Sequence, residues 1–362
     1  GGNMENLQFN ADTNWYDELL RTAMMTNHSL NISGGTEKAT YSAGMSYLAQ
    51  DGIMDVENYY RRLNFRAALD YEARKWLKVG FNGVFSNSQQ QLPKNAAWQQ
   101  AYNTPSIIPV YDDRRDDAVF PKKYTSPEQV GLTNNFNNPV ATANYYDNRN
   151  ETYQVLTNFY AQLNLIPDKL NIRSSYSYDY SMIRGSEFTP TYYVGTNQKK
   201  EVTELTKKNT NYYKYIWDNV ATYTDKWGKH SFTGMLGASM RQEQYRLLEG
   251  TATNVPEGED VWKYIALGNK EGATVKDDGW KYRGLSYFTR LNYNYNDKYM
   301  LMFTFRADGS SKYNDKWGYF PSIGAAWVIS QEPFMKNQNI FDYMKLRASW
   351  GKLGNDKIAA SA

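Results

Sequence analysis

The sequence predicts an all-β fold, a large antiparallel sheet that runs up and down with one apolar and one polar face. Three observations lead there. Apolar and polar residues alternate over most of the chain, as in RLNFRAALDYEA at 62–73, where Leu63, Phe65, Ala67, Leu69 and Tyr71 interleave with Asn64, Arg66, Asp70 and Glu72. A period of two sends successive side chains to opposite faces of a strand. Helical periodicity is confined to two short stretches, 14–24 and 334–344, and short polar turns alternate with long loops along the chain.

Taken in order, the strand candidates are 28–34, 39–50, 62–73, 77–85, 153–165, 170–180, 209–224, 230–246, 281–296, 299–307, 319–330 and 344–350. In LKVGFNGVF (77–85) Leu77, Val79, Phe81 and Phe85 share a face; in YQVLTNFYAQLNL (153–165) Tyr153, Val155, Phe159, Leu163 and Leu165 do; in LNIRSSYSYDY (170–180) Leu170, Ile172, Tyr176, Tyr178 and Tyr180 do. Short turns are expected at GGTEK (34–38), EARKW (72–76), PDK (167–169), TDKWGK (224–229) and NDK (296–298), and long loops at 89–149, 181–208 and 247–280. Gly34-Gly35 and Asp308-Gly309-Ser310-Ser311 read as turns, and Phe320-Pro321 as the start of a strand, where proline loses no ladder bond. Short turns at one end and long loops at the other are the layout of a large up-and-down transmembrane β-barrel. On pattern alone two assignments stay open: the apolar face meets lipid, or it covers the core of a water-soluble sandwich.

Composition narrows the function classes. The chain has 362 residues and a net charge of +3, so no electrostatic case exists for a nucleic-acid partner. With no Cys there is no disulfide framework or thiolate chemistry, and the two histidines, His28 and His230, lie too far apart in sequence to suggest a metal or acid–base site. No cofactor is implied. Mean hydropathy is −0.75. No apolar run is long enough for a membrane helix, and neither fact bears on a barrel, whose strands alternate. The 32 Tyr, 10 Trp and 15 Phe suit a membrane–water boundary, where amphipathic rings settle. GGNMENLQFN shows no signal-peptide pattern.

Four motifs in order carry a family resemblance. These are TNWYDELLRTAMMTNHSLNISGGTEKATYSAGMSYLAQDGIM (13–54), NYYRRLNFRAALDYEARKWLKVGFN (58–82), RADGSSKYNDKWGYFPSIGAAWVISQEPF (306–334) and MKLRASWGKLGN (344–355). Together they resemble the SusC/RagA-like TonB-dependent outer-membrane transporters of Bacteroidetes, over essentially the whole chain. The resemblance implies a piece of an outer-membrane barrel of about 22 strands around a plug. On that reading 1–27 is a lead-in after a missing plug domain, 28–355 is a partial barrel and 356–362 is a truncated end. An open half-barrel would leave two unpaired edges in lipid, which argues for an internal portion of a longer protein. The implied activity is import of an oligomeric nutrient, a glycan or a peptide, with a SusD-like surface lipoprotein as lid and TonB acting through the plug and its TonB box. The rivals are a TonB-dependent siderophore or cobalamin receptor and a soluble β-rich glycan-binding protein or hydrolase.

No catalytic residue stands out. The loop aromatics Trp98, Tyr102, Tyr111, Tyr192, Tyr193, Trp262 and Trp280 are ligand-contact candidates, since ring faces stack on sugars and peptide side chains; the alternative is that they pack the loops. Asn64, Arg66, Asp70, Arg173 and Asp179 are candidates to line the lumen. Asp112, Asp113, Asp116 and Asp117 could offer oxygens to Ca²⁺, but Arg114 and Arg115 between them favour a solvated loop. Glu257, Glu259 and Asp260 read the same way. The sequons at Asn27, Asn31 and Asn150 read as coincidence.

Overall fold

The computed structural model describes residues 11–113, 120, 122–130, 136–335, 337–338 and 340–355. Fourteen strands form in chain order: β1 (Met25–Gly35), β2 (Ala39–Asp51), β3 (Tyr59–Arg74), β4 (Leu77–Leu92), β5 (Asp147–Ile166), β6 (Leu170–Thr189), β7 (Tyr192–Gly195), β8 (Gln198–Lys200), β9 (Glu204–Trp227), β10 (His230–Thr253), β11 (Thr274–Tyr295), β12 (Tyr299–Ser310), β13 (Trp317–Val328) and β14 (Lys345–Gly351). Twelve of them make one antiparallel sheet in sequence order, with the β7–β8 hairpin standing apart. Among the described residues β1 and β14 are each paired on one side only.

Most connections at one end are tight. Trp227 and His230 pair directly across Gly228-Lys229, with Gly228 at φ +58°, and Asn296 and Asp297 take φ +53° and +55° in the β11–β12 turn. Gly, Asn and Asp are the residues that enter this left-handed region at least cost. Two connections break the expected layout: 329–344 is long but lies at the short-turn end, and 311–316 is short but lies at the other. Among the described residues 334–344 is not a helix; only the 3-10 turn Pro333–Met335 forms there. At the front of the chain the helix α1 covers Trp15–Leu19, because Leu20 already bridges to Met54.

Several local expectations are corrected. Gly34 and Gly35 end β1, and the turn proper follows them. Asp308, Gly309 and Ser310 are strand, not turn; Gly309 pairs with Trp317, whose ring would stand 3.2 Å from a Cβ at that site. Pro321 lies inside β13. Its carbonyl accepts from the Lys352 amide, so its missing N–H points to the β14 side, one residue past the end of that ladder at Ser322–Gly351. Six strands also run further into the loops than alternation marks: β4 to Leu92, β5 back to Asp147, β6 to Thr189, β9 back to Glu204, β10 to Thr253 and β11 back to Thr274.

The two faces of the sheet differ in kind. On one, Leu30, Met45, Phe65, Leu69, Phe85, Phe159, Trp217, Leu236, Leu291, Leu301, Ile323, Leu346 and Trp350 are all exposed. These are strand centres, not loops, and an exposed apolar surface this extensive is a membrane-facing surface. Its short-turn edge is a row of rings: Trp227, His230, Tyr295, Tyr299 and Trp327 are successive cross-strand partners. The opposite face carries Asn64, Arg66, Asn158, Asp218, Lys214, Glu243 and Arg306.

The register yields the strand tilt. On β3 the apolar face begins at Leu63, below Arg61; on β11 it begins at Leu285, below Arg283. The row of Leu285 runs back through Met240, Trp217, Tyr176, Phe159 and Phe81 to Leu69, not to Leu63. The apolar band therefore slides by six residues, from 63 to 69, over the six pairings between β3 and β11. Six residues at about 3.4 Å against six spacings of about 4.8 Å give a tilt of about 35°, the value of barrel strands. From Leu285 to Tyr295 the band spans about 34 Å of strand, hence about 28 Å of height, close to the roughly 25 Å apolar belt of an outer-membrane barrel.

Candidate functional site

At the long-loop end the chain builds a small packed body of its own. Helix α2 (Ala96–Asn103), helix α3 (Pro139–Asn144), α1 and the β7–β8 hairpin enclose Trp15, Leu19, Ala97, Ile108, Tyr124, Ala141 and Val194. Asn138 ties it together. Its Oδ1 accepts from the Ala141 amide, capping α3, while its Nδ2 donates to the carbonyls of Val110 (2.9 Å) and Thr125 (3.2 Å). The Gln198 amide group exchanges hydrogen bonds with the Asn138 backbone. Glu128 accepts from the amides of Thr196 and Asn197 (2.9 and 3.1 Å); burial alone would raise its pKa, but these bonds hold it below the ordinary glutamate value.

This body takes up much of the loop-aromatic set. Tyr111 stacks on Tyr124 at 5.2 Å, Tyr124 meets Tyr145 edge-on, and Tyr145 stacks on Tyr192 at 4.5 Å. Desolvation raises the pKa of Tyr124 and Tyr192. Tyr111 and Tyr192 thus pack the loop body. Trp98 meets Tyr16 edge-on at 5.3 Å, and Tyr102 is 81% exposed on α2. Tyr193 lies on the hairpin. Trp262 is exposed on a separate turn, Asp260–Trp262, that folds back over the apolar side of the sheet. Of the acidic loop, Arg114, Arg115, Asp116 and Asp117 lie outside the described residues; Asp112 is buried, its amide donating to Lys123.

Trp280 stands elsewhere, on the polar face, and sequence reading missed its company. Ser181, Tyr212, Tyr245 and Trp280 are successive cross-strand partners in one row. Tyr212 and Tyr245 rings lie 5.1 Å apart, and Tyr245 and Trp280 6.1 Å apart, stacked. The row below holds Asp179, Lys214, Glu243 and Tyr282. Lys214 pairs with Glu243 at 3.4 Å, and Gln154 donates to Asp179 at 3.3 Å. A cleft of about 290 Å³ lies between these side chains.

The five polar candidates share this same face. Asn64 donates to Ser46 (3.1 Å), Arg66 to Asn31, and the Tyr160 hydroxyl to Asp70. Arg173 lies over the Tyr160 ring at 3.8 Å. Further along, Arg306 pairs with Asp308 at 2.7 Å beside a second cleft of about 760 Å³. Among the described residues no group of His, Cys, Asp and Glu is arranged to hold a metal. Ring faces flanked by alternating charge can stack and hydrogen-bond a polar oligomer.

A sheet with a lipid band outside and a hydrogen-bonding face inside is the wall of an outer-membrane barrel. The comparisons define which. No family model matches the sequence. The TonB-dependent receptor P26 of Formosa agariphila is 30% identical over 357 residues, 96% of this chain and 34% of the relative. The TonB-dependent receptor SusC of Bacteroides thetaiotaomicron is 27% identical over 380 residues, 96% of this chain and 35% of SusC. The RagAB peptide importer in its open-open state superposes with a TM-score of 0.81 at 20% identity, over 97% of this chain and 39% of that one. The pyoverdine receptor FpvA of Pseudomonas aeruginosa reaches 0.51 at 12% identity, a likeness of fold. Along nearly its whole length the chain is thus similar to TonB-dependent receptors of the outer membrane, and it spans about a third of the length of the curated relatives it matches.

Proposed function

We propose that this chain forms part of the wall of an active importer that carries an oligomeric nutrient, an oligosaccharide or an oligopeptide, across the outer membrane. The polar face lines the lumen, with Asn64, Arg66, Asp70, Arg173 and Asp179 along the route. The observation that carries the reading is the row Tyr212–Tyr245–Trp280 on that face, beside the Lys214–Glu243 pair. Stacked rings take a sugar face or a peptide side chain, and the flanking charges bond hydroxyls or backbone amides. A SusD-like lipoprotein would close the long-loop end. TonB would act through a plug lying outside this sequence, and the open edges β1 and β14 would pair with further strands of the same barrel, since unpaired edges are not tolerated in lipid.

An oligopeptide cargo is favoured by one comparison, the likeness to a structure described as a peptide importer. The test is uptake by cells carrying the full-length protein, offered labelled oligosaccharides and oligopeptides in parallel. Import of either class, reduced about tenfold by the pair Tyr245→Ala and Trp280→Ala, is expected. Uptake restricted to an iron chelate or a cobalamin would overturn the proposal.

A further inference from the structure

Two of the sequence motifs meet on the polar face. Arg306, Asp308 and Phe320 from the 306–334 segment and Leu353 and Asn355 from the 344–355 segment line one cleft of about 760 Å³. The Tyr313 hydroxyl donates to the Asn355 carbonyl at 3.2 Å and ties the two segments together. The floor of the cleft is a row of successive cross-strand partners, Asp218, Ser239, Ser286 and Asp308. On β9 Asp218 shares the parity of Tyr212 and Lys214, so the cleft opens into the same space as the aromatic row.

The cations around this floor are engaged, and Asp218 is not. Arg306 pairs with Asp308 at 2.7 Å and donates to Ser286 at 3.1 Å. Two further cations stand diagonal to Asp218, one on each neighbouring strand. Arg241 donates to the Tyr282 hydroxyl at 2.6 Å and lies 3.8 Å from Glu243. Arg173 lies over the Tyr160 ring at 3.8 Å, on the far side of its strand. Asp315 and Lys316 at the rim are exposed and offset one another in charge. Among the described residues Asp218, half-buried, makes no hydrogen bond and no ion pair within 4 Å. A carboxylate partly withdrawn from water and given no donor is short of a partner, and a cation supplies it best.

We propose, on the import reading above, that Asp218 seats a positively charged group of an oligopeptide cargo: a lysine or arginine side chain or the terminal ammonium. Neutral sugar hydroxyls would leave the charge of the carboxylate unmatched. The spacing suits an extended chain. From Tyr212 to Asp218 on β9 is about 20 Å, at about 3.4 Å per residue, and about six residues of extended peptide span the same distance. One end of the peptide then stacks on Tyr212, Tyr245 and Trp280 while a cation further along reaches Asp218. Holding one chain at two points raises its affinity beyond that of either contact alone.

The test is binding of labelled, end-blocked peptides of about eight residues to the full-length protein in detergent. Three matched peptides carry an aromatic residue near one end and, about six positions along, a lysine, a glutamine or a glutamate. The lysine peptide is expected to bind about tenfold tighter than the glutamine peptide, the glutamate peptide weakest of the three, and the preference should shrink at high salt. Asp218→Asn should bring the lysine peptide down to the level of the glutamine peptide, and Asp218→Glu should keep most of the preference. Heat-modifiability on gels shows that the variant barrels are folded. Equal binding of the three peptides, or a lysine preference that survives in folded Asp218→Asn, overturns the proposal and leaves the import reading standing. A neutral oligosaccharide whose binding Asp218→Asn weakens, with no charge preference among the peptides, makes Asp218 a hydroxyl acceptor and overturns it too. Failure of every peptide and oligosaccharide to bind overturns the import reading along with it.

Discussion

Asn138 carries more of the loop body than any neighbour because one side chain serves three backbone groups. Asn138→Ala removes a helix cap and strands two buried carbonyls, for an expected cost of about 2–3 kcal/mol to that body. Hydrogen exchange should rise across 108–112 and 139–145 while β9 and β10 keep their protection. At Gly80 the restriction is steric: a Cβ there would meet the Tyr160 ring at 2.1 Å and Asp70 Oδ1 at 2.8 Å. Gly80→Ala should displace the Tyr160 ring and break its bond to Asp70, at about 1–3 kcal/mol. Adding Tyr160→Ala should recover some of that loss in a double-mutant cycle, because the two changes share one space. Neither residue announced itself in the sequence. Asn138 acts on partners 28 and 13 residues away, and Gly80 matters only through a ring on the next strand.

Among the elements, β3 was legible and the outer thirds of β9 and β10 were not, for one physical reason. Alternation shows where one face meets lipid and the other water. Beyond the band both faces meet water, and KKNTN at 207–211 is polar on every residue, so the period vanishes while the ladder continues. Some of the aromatic row was within reach all the same. A two-residue turn sets a hairpin's register: with Trp227 facing His230 across Gly228-Lys229, counting equally back along β9 and forward along β10 brings Tyr212 opposite Tyr245. Trp280 joins them only across the long 254–273 loop, which no turn rule reaches. That loop is pinned by Asp260, which bonds Lys263 (2.9 Å) and Arg149. The Lys263 hydrogen bond, with both cations, holds the Asp260 carboxyl below its ordinary value against the effect of burial. Since the folded pKa is depressed, this contribution is present above the unfolded value, near 3.8, and is lost as pH falls through the folded value. Hydrogen exchange at 260–267 should therefore rise as the pH is lowered below about 4. Asp260→Asn should show that exchange level already at neutral pH, with no further acid step.

For the whole molecule the decisive question is what the apolar face touches. Leu236, 67% exposed at mid-band, gives a direct measurement. Leu236→Arg should cost about 2–4 kcal/mol and impair assembly into the outer membrane, whereas Ser239→Arg, on the polar face, should assemble normally. In a water-soluble protein an arginine at an exposed Leu236 would be nearly neutral. The resemblance to TonB-dependent receptors was readable because four motifs fell in order. The tilt was not readable, because it needs every register between β3 and β11 at once.

The tilt has a mechanical meaning. A pull along the membrane normal on a strand inclined at about 35° resolves mostly along the strand, about four-fifths of the force, and less across it. Along the strand, the hydrogen bonds of a ladder such as β9–β10, paired from Glu204–Thr253 to Trp227–His230, are loaded together in shear; across it they would break in succession, like a zip. A wall built at this angle resists axial traction by sharing it among many bonds, so an axial pull would release a short loop contact long before it separated the strands.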